Sequence, residues 1–220
     1  MLGRQPEARM LDLILSFPPD RLLAFLAAGI VLNLTPGADV AFATGAGLAG
    51  GARAGAVAGL GVGLGGLWHV VLAAVGVSAL IAAHPGALTG LKLAGAGYLA
   101  FLAWKSWTAA RAGAVVPQVM TAHQAVWRGF VTNALNPKVI LFILAFLPQF
   151  TDPALGPVWQ QILYLGALFT LTGTAVTAGY GALAGWMGQA LGARLSVMNR
   201  VAAVIFGGLS ARLVFDALRN

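Results

Sequence analysis

The stretch AGAVAGLGVGLGGLWHVVLAAVGVSALIAA (residues 54–83) runs for thirty residues without a charged side chain. A helix of that length exceeds the roughly 20 residues needed to cross the hydrocarbon core of a bilayer. Arg53 bounds it on one side and the breaker His84-Pro85-Gly86 on the other. Its apolar positions are continuous rather than alternating, which argues against a strand of a membrane β-barrel. The uncharged run extends to Lys92, and a second one reaches from Lys138 to Arg194 with Asp152 as its only charge.

The whole chain shares this character. Its 220 residues are 59% hydrophobic and 9% charged, with 30 glycines. Soluble domains carry roughly 25% charged residues. So few charges could not cover a soluble globule of this size, and disorder requires low hydrophobicity. Composition therefore excludes a soluble enzyme and a disordered chain, and leaves a polytopic membrane protein. The absence of cysteine excludes disulfides, Cys-based metal sites and thiol relays. The basic residues are scattered between apolar runs, unlike the clustered patch of a nucleic-acid binder.

Charges and breakers divide the chain into six expected transmembrane helices. They cover about 22–48, 55–83, 88–107, 126–150, 159–187 and 197–218. Residues 108–125 form the longest polar connection and split the spans three and three. The chain reads as a single transmembrane domain: repeat one about 22–107, a connecting loop about 108–125, and repeat two about 126–218. Residues 1–9 read as an upstream extension, with Met10 a candidate start. Arg53, Lys105, Arg111, Arg128, Arg194 and Arg200 fall in or beside the 1/2, 3/4 and 5/6 loops. The positive-inside bias then places these loops in the cytoplasm and both termini in the periplasm.

Each half opens with a helix interrupted near its middle. The first reads Leu34-Thr35-Pro36-Gly37-Ala38-Asp39 and the second Leu135-Asn136-Pro137-Lys138. An odd number of spans per half gives two similar halves opposite orientations, the 3+3 inverted repeat of many secondary transporters. Proline removes a backbone donor and pushes the preceding residue out of the helical region. Thr35 and Asn136 are then expected to be N-caps, with Pro36 and Pro137 at the first helical position. A half-helix that starts in the membrane interior presents free N–H groups and a positive dipole end, which suit a carboxylate.

Asp39 and Lys138 are the two charges expected deep in the membrane. Such charges are expensive and usually line a cavity or pair together. A lone carboxyl group in an apolar site holds its proton more tightly than in water. Asp39 is thus a candidate proton-coupling site, a substrate-amine site, or both. Lys138 is a candidate partner for a substrate carboxylate or for Asp39. A permanent Asp39–Lys138 pair that only fixes packing is the structural alternative. Thr35, Pro36, Gly37, Asp39, Asn136, Pro137 and Lys138 form the candidate substrate-binding set. His69, Tyr98, Asn133 and Gln149 are candidate path-lining groups. His69 shares a helix face with Gly61 and Gly65, and such small-residue faces pack closely or form a dimer interface. No metal cluster, cofactor motif or nucleophile–base spacing is legible.

Several of these segments together resemble the LysE/RhtB family of amino-acid exporters over about Leu22 to Leu218. They are Leu34 to Asp39, the glycine-spaced run Gly59 to His69, Lys92 to Leu99, and Gly129-Phe130 through Asn133. Asn136-Pro137-Lys138 and Phe146-Leu147-Pro148-Gln149-Phe150 complete the set. The family usually has proline where this chain has Ala38, which loosens the first break without removing Asp39. The resemblance implies a transporter of the bacterial inner membrane, not an enzyme. It would export amino acids or close derivatives by proton antiport, without a cofactor. Its partners would be the amino-acid substrate, protons and the lipid bilayer. One deep acid and one deep base suit a zwitterion, hence a neutral amino acid. A passive channel or ion exporter on the same scaffold is the alternative.

Overall fold

The computed structural model describes residues 13–83 and 119–187, with scattered positions between 90 and 107 and between 203 and 215. Among these residues the regular structure is helical, with no strand. The elements are α1 (Pro19–Leu34), α2 (Ala38–Ala83), α3 (Ala122–Ala134), α4 (Pro137–Leu141) and α5 (Val158–Met187). After α4 the backbone widens into a π-helical turn at Phe142–Phe146, then tightens into 3-10 turns at Leu147–Phe150 and Pro153–Leu155. Tyr98, Met10, residues 1–9, and most of the expected third helix, sixth helix and central connection lie outside the described residues.

Local chemistry sets the helix ends. Pro19 opens α1, where its missing N–H costs nothing, and Asp20 complements the dipole in the first turn. Pro36 forces Thr35 into an extended conformation (φ −69°, ψ 120°), so α1 stops at Leu34. Helix α3 begins with a reciprocal cap: Thr121 Oγ1 accepts from the Gln124 N–H, and Gln124 Oε1 accepts from the Thr121 N–H. This Thr-x-x-Gln cap starts the helix at Ala122, earlier than the expected 126.

The expected loop around Arg53 is a single residue. Gly51, at φ 83° and ψ 178°, interrupts α2 in a conformation that suits glycine. In a straight helix Gly47 and Gly55 would lie about 12 Å apart. Instead, a Cβ placed on either would strike the carbonyl of Gly181 in α5. The chain therefore turns back at Gly51, and two arms of α2 converge on one point of α5.

Glycine lets these backbones touch. A Cβ on Gly59 would lie 2.5 Å from the Ala178 Cα, and one on Gly63 would strike Thr174. The opposite face of the second arm meets α3. A Cβ on Gly65 would lie 2.6 Å from the Asn133 Cβ, and one on Gly129 would lie 2.6 Å from the Ala58 carbonyl oxygen. Without a hydrophobic drive between helices in lipid, such close van der Waals approach holds them together.

The apolar core lies between α1, α5 and the wide turn. Phe142 stacks on both Phe146 and Phe169, with ring centroids 4.7 Å apart in each pair. Phe25 meets Phe150 edge-on. Meanwhile Leu60, Leu64, Leu67, Trp68, Val71, Leu72 and Val75 are exposed along the second arm of α2. An apolar face of this extent fits a lipid surround.

Two stretches among the described residues are long and apolar enough to cross a bilayer: Ala38–Gly76, most of which is the arm after Gly51, and Val158–Met187. The segments Ala122–Ala134 and Pro137–Phe150 meet at 52° and make a third if they form one span.

Candidate functional site

The two proline segments meet inside the helix bundle. Each sends its charged residue across to the other. Asp39, in the first turn of α2, is buried, and its Oδ2 accepts from Asn136 Nδ2 at 2.8 Å and Asn133 Nδ2 at 3.2 Å. Lys138, in the first turn of α4, donates from Nζ to the carbonyls of Leu32 at 3.2 Å and Thr35 at 3.0 Å. The carboxylate thus sits on the second segment, and the ammonium sits on the first.

Helix electrostatics explain this exchange. An acid in a first turn is stabilised by the positive helix end, as Asp39 is. A base in a first turn is not, and Lys138 occupies that unfavourable place. Its side chain reaches instead to the carbonyl-rich end of α1, where cations are favoured. Gly37 makes room for it, because a Cβ there would lie 3.2 Å from the ammonium.

The end of α1 is satisfied one carbonyl at a time. Thr35 Oγ1 donates to the Val31 carbonyl at 2.7 Å, and Tyr180 Oη donates to that of Leu34 at 3.1 Å. Lys138 supplies Leu32 and Thr35. Thr35 is therefore a C-cap rather than the expected N-cap. Pro36 correspondingly lies before α2 rather than at its first helical position, because Gly37 still precedes the helix.

At the second segment, Asn136 is the N-cap, with its Oδ1 accepting from the Lys138 N–H at 3.0 Å. Pro137 is the first residue of α4. The single Asn136 side chain thus caps a helix with its oxygen and holds the Asp39 carboxylate with its amide.

Asn133 is the second hub. Its carbonyl accepts from the Asn136 N–H at 2.8 Å and faces His69 Nε2 at 3.1 Å. His69 packs with Gly61 and Gly65 against α3, as their four-residue spacing implies. Gln149 stays out of this network and donates to the carbonyl of Ala145 in its own turn.

A cavity of about 30 Å³ adjoins these groups, lined by Asp39, Asn133, Lys138 and Phe169 and by Thr170, Thr174 and Thr177 of α5. Into such a space fits about one water molecule. Asp39 Oδ1, Asn133 Oδ1 and Thr170 Oγ1 are buried and have no hydrogen-bond partner. Sequence reasoning passed over Thr170. The available signal was the spacing of Thr170, Thr174 and Thr177, which places three hydroxyls on one face of an otherwise apolar helix.

Away from this site, Arg21 and Asp152 form an ion pair at 3.0 Å between the start of α1 and the turn before α5. The Ala154 backbone N–H, and then Arg21, hold the Asp152 carboxyl below its ordinary range.

Comparison with known proteins gives the chain its place. The LysE type translocator family matches residues 30–217. An uncharacterized membrane protein of Vibrio cholerae is 33% identical over 84% of this chain and 92% of its own length. A homoserine/homoserine lactone efflux protein of Salmonella typhi is 35% identical over 73% of this chain and 79% of its own. A leucine efflux protein of Klebsiella pneumoniae is 32% identical over 59% of this chain and 63% of its own. No solved structure matches. With almost its whole length matched, the chain belongs to the LysE type translocator family.

Proposed function

We propose that this protein exports neutral amino acids or close derivatives across the bacterial inner membrane by proton antiport. The reciprocal crossing of Asp39 and Lys138 carries the reading. Family membership supports amino-acid export, and relatives named for homoserine and leucine efflux support neutral substrates. The chain forms six spans as an inverted 3+3 repeat, with the segments at Pro36 and Pro137 as broken helices and both termini in the periplasm.

The hydrogen bonds between the two segments support a mechanism of this kind. Asp39 takes up a proton from one side, and substrate binding beside it displaces that proton. The ties from Asn133 and Asn136 to Asp39, and from Lys138 to α1, form and part as the two repeats rock. Alternating access thus works around a fixed site. The small cavity supports a site that opens to one side at a time rather than a continuous pore.

The test uses protein purified into liposomes with an imposed pH gradient. Labelled leucine or homoserine accumulates with the wild-type chain and does not with Asp39→Asn. Undiminished gradient-driven accumulation by Asp39→Asn refutes the proton role. Ion conductance without amino-acid exchange would instead identify a channel.

A further inference from the structure

We propose that Asp39 Oδ1, Asn133 Oδ1 and Thr170 Oγ1 form a subsite for a protonated primary amine. This rests on the export reading and adds how the substrate is recognised.

Three residues that line one small cavity each carry a buried side-chain oxygen without a partner. Unpaired buried polar atoms are costly, and native proteins rarely keep them without a reason. A carboxylate and an amide oxygen are acceptors only, while a hydroxyl can accept as well. The missing partner must therefore be a donor. A primary ammonium carries three N–H donors, one for each atom, and its charge complements Asp39. A water supplies only two and no charge.

The orientation of Asn133 is fixed. Its amide nitrogen must face the Asp39 carboxylate, because a carboxylate cannot donate. Its oxygen is then left without a partner. The second arm of α2 confines the same space. A Cβ on Gly65 would lie 3.0 Å from Asn133 Oδ1, and one on Gly66 would lie 3.2 Å from Thr170 Oγ1. The carboxylate is anchored through Oδ2, which already accepts two N–H bonds. Oδ1 is left as the atom that takes either a proton or the amine, and the two exclude each other.

Among the described residues, the charged and titratable groups near Asp39 are few. Lys138 approaches from α4 and His69 from the second arm of α2, where it faces the Asn133 carbonyl. Tyr180 of α5 donates to the end of α1. The α5 residues that line the cavity, Phe169, Thr170, Gly173, Thr174 and Thr177, have no titratable side chain, and neither has Asn33 of α1.

The experiment measures binding to the purified full chain and proton release in weakly buffered solution between pH 5 and 8. The probes are L-leucine and L-homoserine, their 2-hydroxy-acid analogues, and their N-trimethyl derivatives. Both amino acids bind, and their binding releases protons into the medium. Removing the N–H donors weakens binding by about tenfold or more, the loss expected for a charge-assisted hydrogen bond. Thr170→Val weakens amino-acid binding by about tenfold, and Thr170→Ser retains it.

An analogue without N–H donors that binds as well as its amino acid overturns the subsite and leaves export standing. Binding with no proton release at any pH in the range overturns the exchange at Oδ1. Thr170→Val with wild-type affinity removes Thr170 from the subsite. If neither amino acid binds or moves, the export reading fails and the subsite falls with it.

Discussion

The two proline segments place opposite charges at nearly the same position. Asp39 and Lys138 each lie in the first turn after their proline. At the first segment the acid agrees with its helix dipole, while the departing helix α1 needs outside donors. At the second, the base opposes its own dipole, and Asn136 caps the new helix from within. Their unlike needs are complementary: each segment receives hydrogen bonds from the other. Resemblance in sequence thus gives a pair of partners rather than two copies of one device.

Lys138→Met tests that dependence most severely. It leaves the Leu32 and Thr35 carbonyls without their cationic donor. Transport in proteoliposomes falls by about two orders of magnitude, as expected for the loss of charge-assisted bonds. Transport at the wild-type rate would make the crossing ornamental.

Replacing the residues before the two prolines sharpens the asymmetry. Asn136→Ala removes both a helix cap and a bond to Asp39, and costs about 2–4 kcal/mol. Thr35→Ala loses only the bond to Val31 in its own helix and costs about 1 kcal/mol. Thermal unfolding in detergent measures both, and equal losses would contradict the division of labour.

Arg21→Ala is the control away from both segments. The pair is exposed, and such pairs contribute little. Asp152 is held below the ordinary carboxylate value of 3.8, so its stabilising contribution is present above that value. It is lost as the pH falls through the lower value of the folded state. Part of it survives in the variant, because the Ala154 N–H remains. Urea titrations of both proteins at pH 3 and pH 6 give a wild-type advantage that is small at pH 6 and smaller at pH 3.

What was legible in the sequence follows from what is local. Pro36, Pro137, Asp39 and Lys138 each declare themselves by standing against an apolar background. Asn136 as a cap follows from its neighbour alone. The direction of Thr35 does not, because either side of a break can claim a hydroxyl. Tertiary placement decided it: with Gly37 between Pro36 and α2, the Thr35 side chain turned back to Val31. Thr170 stayed hidden because its relation to Asp39 spans 131 positions and depends on how α5 lies against α2. The turn at Gly51 was hidden for a related reason. Glycines crowd that region, and Gly51 is set apart only in the folded chain, by its positive φ and by the contact of Gly47 and Gly55 on either side of it with Gly181.

That contact bears on how this chain can change over evolutionary time. Every substitution of glycine adds volume, and at Gly47, Gly55, Gly59 and Gly181 the added atom meets backbone, which cannot swing aside. These positions have no conservative neighbour. On the proposed reading, adaptation to a new cargo runs through cavity side chains such as Thr170, Thr174 and Phe169, while the glycine seam descends unaltered. A saturation screen for stable expression would show the seam as a stripe of intolerance, separable from the positions that change what is carried.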